Sequence, residues 1–192
     1  RLLMKGPEVY GRLGAYLRAS PSETSRFAQR LAAQESKRKV GICWRSHQLS
    51  ANRNRKYTAL ADWHEVLSTP NTVFVNLQYG ECEAELQAME AALDIQILRW
   101  PDVNLKDDLE AVLGIMENLD LVISPSTAVL PFAGALGKPT IYLGQRNWIL
   151  LGESECYPWF RSVRPLIVPP TEPVSSTLRQ VPHWIEHMAF SR

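Results

Sequence analysis

Arg45, Arg53, Arg55 and Lys56 place four cations between Arg45 and Thr58, directly after the apolar run Val40-Gly41-Ile42-Cys43-Trp44. A guanidinium group presents a planar fork of donors and stays charged, which matches the oxygens of a phosphate or diphosphate. Ser46 adds a hydroxyl to the same stretch, and His47 adds an acid–base candidate. Such a segment can equally be a solvated surface loop; its place after a strand is what favours anion binding. A second group of hydroxyls stands in Ser124-Pro125-Ser126-Thr127-Ala128-Val129, at the predicted start of a helix. Helix starts offer unpaired backbone N–H groups and the positive end of the dipole, both suited to phosphate. Ser126 or Thr127 can also serve as a plain N-cap, and the two roles are compatible. In Gln78-Tyr79-Gly80-Glu81, Gly80 permits a tight turn and the Gln78 amide suits the edge of a base, although an ordinary strand-to-helix turn explains the segment as well. Trp148, in Gly144-Gln145-Arg146-Asn147-Trp148, is a candidate to close over a sugar or base, whereas Trp159 is expected to pack its loop onto the body.

The elements that position these groups are legible as alternating apolar runs and amphipathic stretches. Predicted strands are Val40–Trp44, Val73–Leu77, Ile95–Leu98, Leu121–Ser124, Thr140–Leu143 and a short Leu166–Val168. Predicted helices are Ser22–Gln34 with Ser22 as N-cap, Leu60–Ser68, Cys82–Leu93, Asp107–Leu119, Thr127–Leu136 and Val174–Ala189. Strands that are apolar almost throughout are buried on both faces, as parallel strands between helices are. The expected fold is therefore α/β, a Rossmann-like doubly wound parallel sheet, and ligands of such sheets lie beyond the carboxyl ends of the strands. We divide the chain into a connector and helix over 1–36, the sheet domain over 37–170, and a C-terminal helix over 171–192. Lys37-Arg38-Lys39 reads as a solvated lead-in, and Pro165–Pro173 as a linker.

Composition removes several classes of function. A net charge of +1 gives no field for nucleic acid. Cys43, Cys82 and Cys156 are odd in number and without metal-ligand spacing, which favours reduced thiols and no metal site. No apolar run reaches the length of a membrane span, and a cytoplasmic location is expected. The opening at Arg1, in mid-pattern, leads us to expect a piece of a longer polypeptide. There is no Gly-x-Ser-x-Gly elbow, Gly-x-Gly-x-x-Gly turn or P-loop. Asp107-Asp108 is most simply a helix start, and His64, His183 and His187 read as surface or packing residues.

Taken in order, Val40–Ser46, Phe74–Gly80, Asp107-Asp108-Leu109, Asp120–Ser124, Thr127-Ala128-Val129, Ala133–Pro139, Asn147-Trp148 and Tyr157-Pro158-Trp159 resemble the C-terminal lobe of glycosyltransferases attached to tetratricopeptide repeats. That family is related to the heptosyltransferase-like branch of two-lobed (GT-B) enzymes and includes enzymes that glycosylate proteins such as flagellin. The resemblance implies a nucleotide-sugar donor held by this lobe, without metal or cofactor. It also implies a preceding N-terminal lobe that supplies the acceptor site and the catalytic base, with tetratricopeptide repeats as further partners in the parent chain. Where relatives often carry Asp before the Thr of the fourth loop and His four residues after that Thr, this chain has Ser126 and Pro131. The expected roles are stabilisation of the departing phosphate by Arg55, with donor contacts from Arg45, Ser46, Arg53, Gln78, Tyr79, Ser126, Thr127 and Trp148. The alternative is a degenerate, non-catalytic lobe kept as a binding or assembly module.

Overall fold

The structure, a computed structural model, describes residues 14–46, 56–153 and 155–187. Six strands form one parallel sheet: β1 (Arg38–Ile42), β2 (Thr72–Asn76), β3 (Ile97–Leu98), β4 (Leu121–Ser124), β5 (Thr140–Gln145) and β6 (Val163–Val168). Their order is β3-β2-β1-β4-β5-β6. The chain winds outward from β1 in one direction and restarts at β4 in the other, so the topological switch lies between β1 and β4. This is the Rossmann-like doubly wound sheet expected from the sequence.

Alternate residues of the strands feed two cores. Val40, Ile42, Leu121 and Ile123 face a cluster containing Trp63, Leu86 and Ile185. Val75 and Val122 face the other cluster, with Phe27, Leu31, Ile115 and Met116. The first face is covered by a 3₁₀ turn at Leu60–Trp63 that continues as α2 (His64–Leu67), by α3 (Glu83–Leu93), and by α6 (Val181–His187). The second is covered by α1 (Pro21–Leu31), α4 (Leu109–Glu117) and α5 (Val129–Ala135). On α5, Gly134 lies against Phe160, and a Cβ there would come within 2.4 Å of the Phe160 ring. The run of small residues Ala133-Gly134-Ala135 thus serves close packing.

Several boundaries shift. The cap position of α1 is Ser20, and Ser22 lies inside the helix. Its last turn, Ala32–Gln34, tightens to 3₁₀. Arg38 and Lys39 are not a lead-in but the first two residues of β1, where the Lys39 N–H donates to the Asp120 carboxylate at 2.8 Å. The linker reading of Pro165–Pro173 is also corrected, because Pro165–Val168 belongs to β6. Pro165 is tolerated because β6 pairs only with β5 and is an edge strand. The last helical stretch divides into a 3₁₀ segment, Val174–Gln180, and α6.

Candidate functional site

The carboxyl ends of β1, β2 and β4 meet at the switch point, and a small polar network joins them. Asn76, the last residue of β2, accepts the Gln78 N–H on its Oδ1 at 3.0 Å and donates from Nδ2 to the Gln78 carbonyl at 3.1 Å. That turn carries Gly80 at φ 88°, a conformation that favours glycine. It also drives the Gln78 side chain inward, where only 1% of the residue is exposed. Gln78 Oε1 accepts the backbone N–H groups of Trp44 (3.2 Å) and Arg45 (3.0 Å), and Nε2 donates to the Tyr79 carbonyl at 3.0 Å. The Gln78 amide, expected to read a base edge, thus also holds the fold together at this edge. Its oxygen satisfies backbone N–H groups left unpaired where β1 ends, and one of its two Nε2 hydrogens is taken by the Tyr79 carbonyl.

Arg45 is held just as firmly. Its guanidinium pairs with the Glu85 carboxylate and donates to the Glu81 carbonyl at 2.9 Å, while the Trp44 indole donates to the same Glu85 at 2.9 Å. Glu85, on α3, thus orients the start of the segment after β1. The end of that segment is fixed by Thr58, whose N–H and hydroxyl both donate to the Trp44 carbonyl at 3.2 Å. Ser46, also among the expected contacts, is half-buried next to Arg45. Arg53, Arg55 and His47 lie outside the described residues.

Across the switch point, the Thr127 hydroxyl stands 3.1 Å from Ser124 Oγ and 3.5 Å from Cys43 Sγ. Thr127 is half-buried and Ser126 exposed. No side chain caps α5, so the N-cap reading of Ser126 and Thr127 is corrected: the Thr127 hydroxyl faces Ser124 and Cys43, not the first turn. The Cys43 thiol is wholly buried beneath this cluster, and burial pushes its pKa up to about 11. It is thus a neutral thiol at physiological pH.

The carboxyl edge opens into a groove of about 680 Å³ between the turn after β2 and the segment after β3. Gln78, Tyr79 and Gly80 line one side, and Trp100, Asn104 and Lys106 the other. Arg99 stands in its wall, but its guanidinium donates to both carboxylate oxygens of Glu90 and both of Glu83. Glu90 and Glu83, in that order of strength, hold Arg99 protonated beyond its ordinary range, and Arg99 lowers the pKa of both carboxylates. The sequence reading missed this wall, because β3 is only two residues long and the loop after it carries no motif. The available signal was Arg99-Trp100-Pro101-Asp102, an aromatic and a turn residue at a carboxyl edge. A larger groove, about 980 Å³, lies at the opposite edge around Arg38, Lys39, Pro70 and Lys138. It is made by the amino ends of the strands, away from the switch point.

Beyond β5, Asn147 caps a 3₁₀ turn by accepting the Ile149 N–H at 2.9 Å, and its Nδ2 donates to Tyr142 Oη at 2.8 Å. Trp148, 79% exposed, rides on this fixed turn. The Trp159 indole donates to the Ile149 carbonyl at 2.8 Å, the packing role expected of it. Asp108 caps α4 by accepting the Ala111 N–H at 3.1 Å, as the helix-start reading required. His64, His183 and His187 are exposed. Among the described residues no group of His, Cys, Asp or Glu could hold a metal ion, and no helix is long and apolar enough to cross a membrane.

The structure therefore gathers Arg45, Ser46, Gln78, Tyr79, Ser126 and Thr127 at one end of the sheet, with Trp148 on the turn after the neighbouring strand β5. The fold and this edge define a Rossmann-like, doubly wound α/β domain. It resembles the ADP-heptose LPS heptosyltransferase II of E. coli (TM-score 0.54, 14% identity), covering 88% of this chain and 54% of that one. A similar match is to the family 9 glycosyl transferase of Veillonella parvula (TM-score 0.56, 11% identity), covering 86% of this chain and 46% of that one. At the level of sequence the chain is similar to Protein FlbA of Caulobacter vibrioides, 38% identical over 158 residues, which cover 82% of this chain and 26% of FlbA. No family model matches the chain. It spans about a quarter of FlbA and about half of each of the two transferases.

Proposed function

We propose that this chain is the donor-binding lobe of a two-lobed, GT-B glycosyltransferase that moves a sugar from a nucleotide-sugar to an acceptor. The observation that carries this reading is the convergence at the β1/β4 switch point. The Thr127 hydroxyl and the start of α5 lie on one side, Arg45 and Ser46 on the other, and the 680 Å³ groove adjoins them. Diphosphate suits the switch point, where charge develops on the leaving group and preorganised donors stabilise it. The nucleoside suits the groove, which is more apolar and offers an aromatic wall. We assign Trp148, exposed on a fixed turn, to the sugar or acceptor. Arg55 remains our choice for the leaving-group role, with Arg53 as second choice and Arg45 as a donor contact. The reaction needs no metal, the catalytic base comes from a preceding lobe, and the acceptor can be a protein. Tetratricopeptide repeats in the parent chain and a cytoplasmic location belong to the same proposal.

Two observations favour a second reading, a non-catalytic binding or assembly lobe. Arg45 is already neutralised by Glu85, and Ser126 and Pro131 stand where relatives often carry Asp and His. Thermal unfolding of the chain with UDP-, GDP-, CMP- and TDP-sugars tests nucleotide binding under both readings. A ligand at 100 times its dissociation constant stabilises by about 2.7 kcal/mol. Sugar transfer by the full-length protein separates them: the enzyme transfers with its acceptor, and the assembly module binds without transfer.

A further inference from the structure

Resting on the nucleotide-binding reading above, we infer that the groove after β2 and β3 takes the base by stacking on Trp100 and by shape, not by reading the base edge. Trp100 is unusually well fixed for a loop residue. Its ring packs edge-on with Phe27, centroids 5.0 Å apart, and Phe27 is wholly buried on α1. Arg26 and Arg30 lie over the Phe27 ring at 5.1 and 5.4 Å, and both bind the carboxylate of Asp102, two residues after Trp100. The Val103 N–H closes the turn on the Trp100 carbonyl at 3.0 Å. One side of the indole thus rests on the core and the remainder lines the groove. An aromatic surface already held in place stacks a base without first losing rotamer freedom.

Most of the polar side-chain groups that line the groove are already engaged. Gln78 and Asn76 satisfy the turn after β2 and the end of β1. Asn104 Oδ1 accepts the N–H groups of Lys106 and Asp107, and Nδ2 donates to the Asp107 carboxylate. Glu83 and Arg99 satisfy each other. Glu81 and Lys106 are exposed, where a hydrogen bond to a base competes with water. A site that hydrogen-bonds its substrate discriminates by about 10⁴-fold or more, and a stacking site does not. The four common bases should therefore bind within roughly tenfold of one another, the purines first because they offer the larger π surface.

The test is calorimetric titration of ADP, GDP, UDP and CDP into the chain and into Trp100→Leu, which keeps an apolar side chain against Phe27, and Trp100→Phe, which keeps an aromatic ring. Circular dichroism melting identifies variants that remain folded. We expect Trp100→Leu to weaken all four nucleotides by a similar factor, on the order of ten- to a hundredfold, and Trp100→Phe to weaken them by only a few-fold. Folded Trp100→Leu with unchanged affinities overturns the inference while leaving the nucleotide site in place, as does a preference for one base above about a hundredfold. Absence of binding by all four to the unsubstituted chain removes the nucleotide-binding reading and this inference with it.

Discussion

Replacing Gln78 with methionine keeps the length and approximate volume of the side chain but removes its only acceptor and its donor. Two backbone N–H groups, of Trp44 and Arg45, then lose the oxygen they share, and the Tyr79 carbonyl loses its N–H. Each buried polar group left unpaired costs about 1–3 kcal/mol. These groups are neighbours, so the costs do not add fully and relaxation recovers part of them. We expect a net loss of about 2–5 kcal/mol, against a total stability of about 5–15 kcal/mol for a domain of this kind. With an m-value near 2 kcal/mol/M, the urea midpoint should fall by roughly 1–2.5 M. Equilibrium urea unfolding followed by circular dichroism and tryptophan fluorescence measures this directly. The result that refutes the reasoning is a midpoint within about 0.25 M of the unsubstituted chain together with a large loss of nucleotide affinity. That outcome would return Gln78 to the role of a base reader.

Three further outcomes follow from the same geometry. Thr127→Val should weaken nucleotide binding by about 0.5–1.5 kcal/mol, the worth of one hydrogen bond, in titration calorimetry; unchanged affinity with a lower melting temperature would give the Thr127 hydroxyl to the Ser124 and Cys43 contacts alone. Native iodoacetamide labelling should modify the exposed Cys156 and spare Cys43, and because the unfolded Cys43 thiol ionises near 9 while the folded one holds its proton to about 11, its contribution should make stability fall as pH rises between those values; labelling of Cys43 as fast as Cys156 in the folded chain would contradict its burial. In the full-length protein, Arg55→Ala should lower kcat more than it raises the donor KM, with Arg55→Lys recovering part of the rate because it restores charge without the fork; near-normal turnover would move the leaving-group role to Arg53.

The sheet was legible because its strands are buried on both faces and read as unbroken apolar runs, most clearly Leu121–Ser124, whose bounds the structure reproduces. Strand ends were less so. Arg38 and Lys39 carry charge into β1 because their neighbours at the amino edge are Thr72 and Asp120, polar partners more than thirty residues distant. Cys43 and Trp44 leave the strand yet stay buried, so apolar character there reports the core and not the ladder. In β6, Pro165 and Arg164 mask a six-residue strand that only an edge position permits. The edge that carries the candidate site was legible from topology, and the individual contacts there were not. Gln78 and Arg45 have the chemistry of ligand contacts, but partners thirty to forty residues away in sequence, Trp44 and Glu85, use that chemistry for the fold. Trp100 was silent for the opposite reason: its ring partner Phe27 comes from α1, as do Arg26 and Arg30, which hold Asp102 two residues on, and no local spacing records these contacts.

The claim that a nucleotide occupies the carboxyl edge is tested most directly by hydrogen–deuterium exchange of the chain with and without a nucleoside diphosphate at saturating concentration. Protection is expected in three segments, 76–82, 99–106 and 124–130, which lie far apart in sequence and converge only at that edge. The groove at the amino edge is larger, which makes it a fair competitor. Protection confined to 35–39, 69–72 and 136–139 would place the ligand there instead and contradict the account, as would a saturating nucleotide that slows exchange nowhere in the chain.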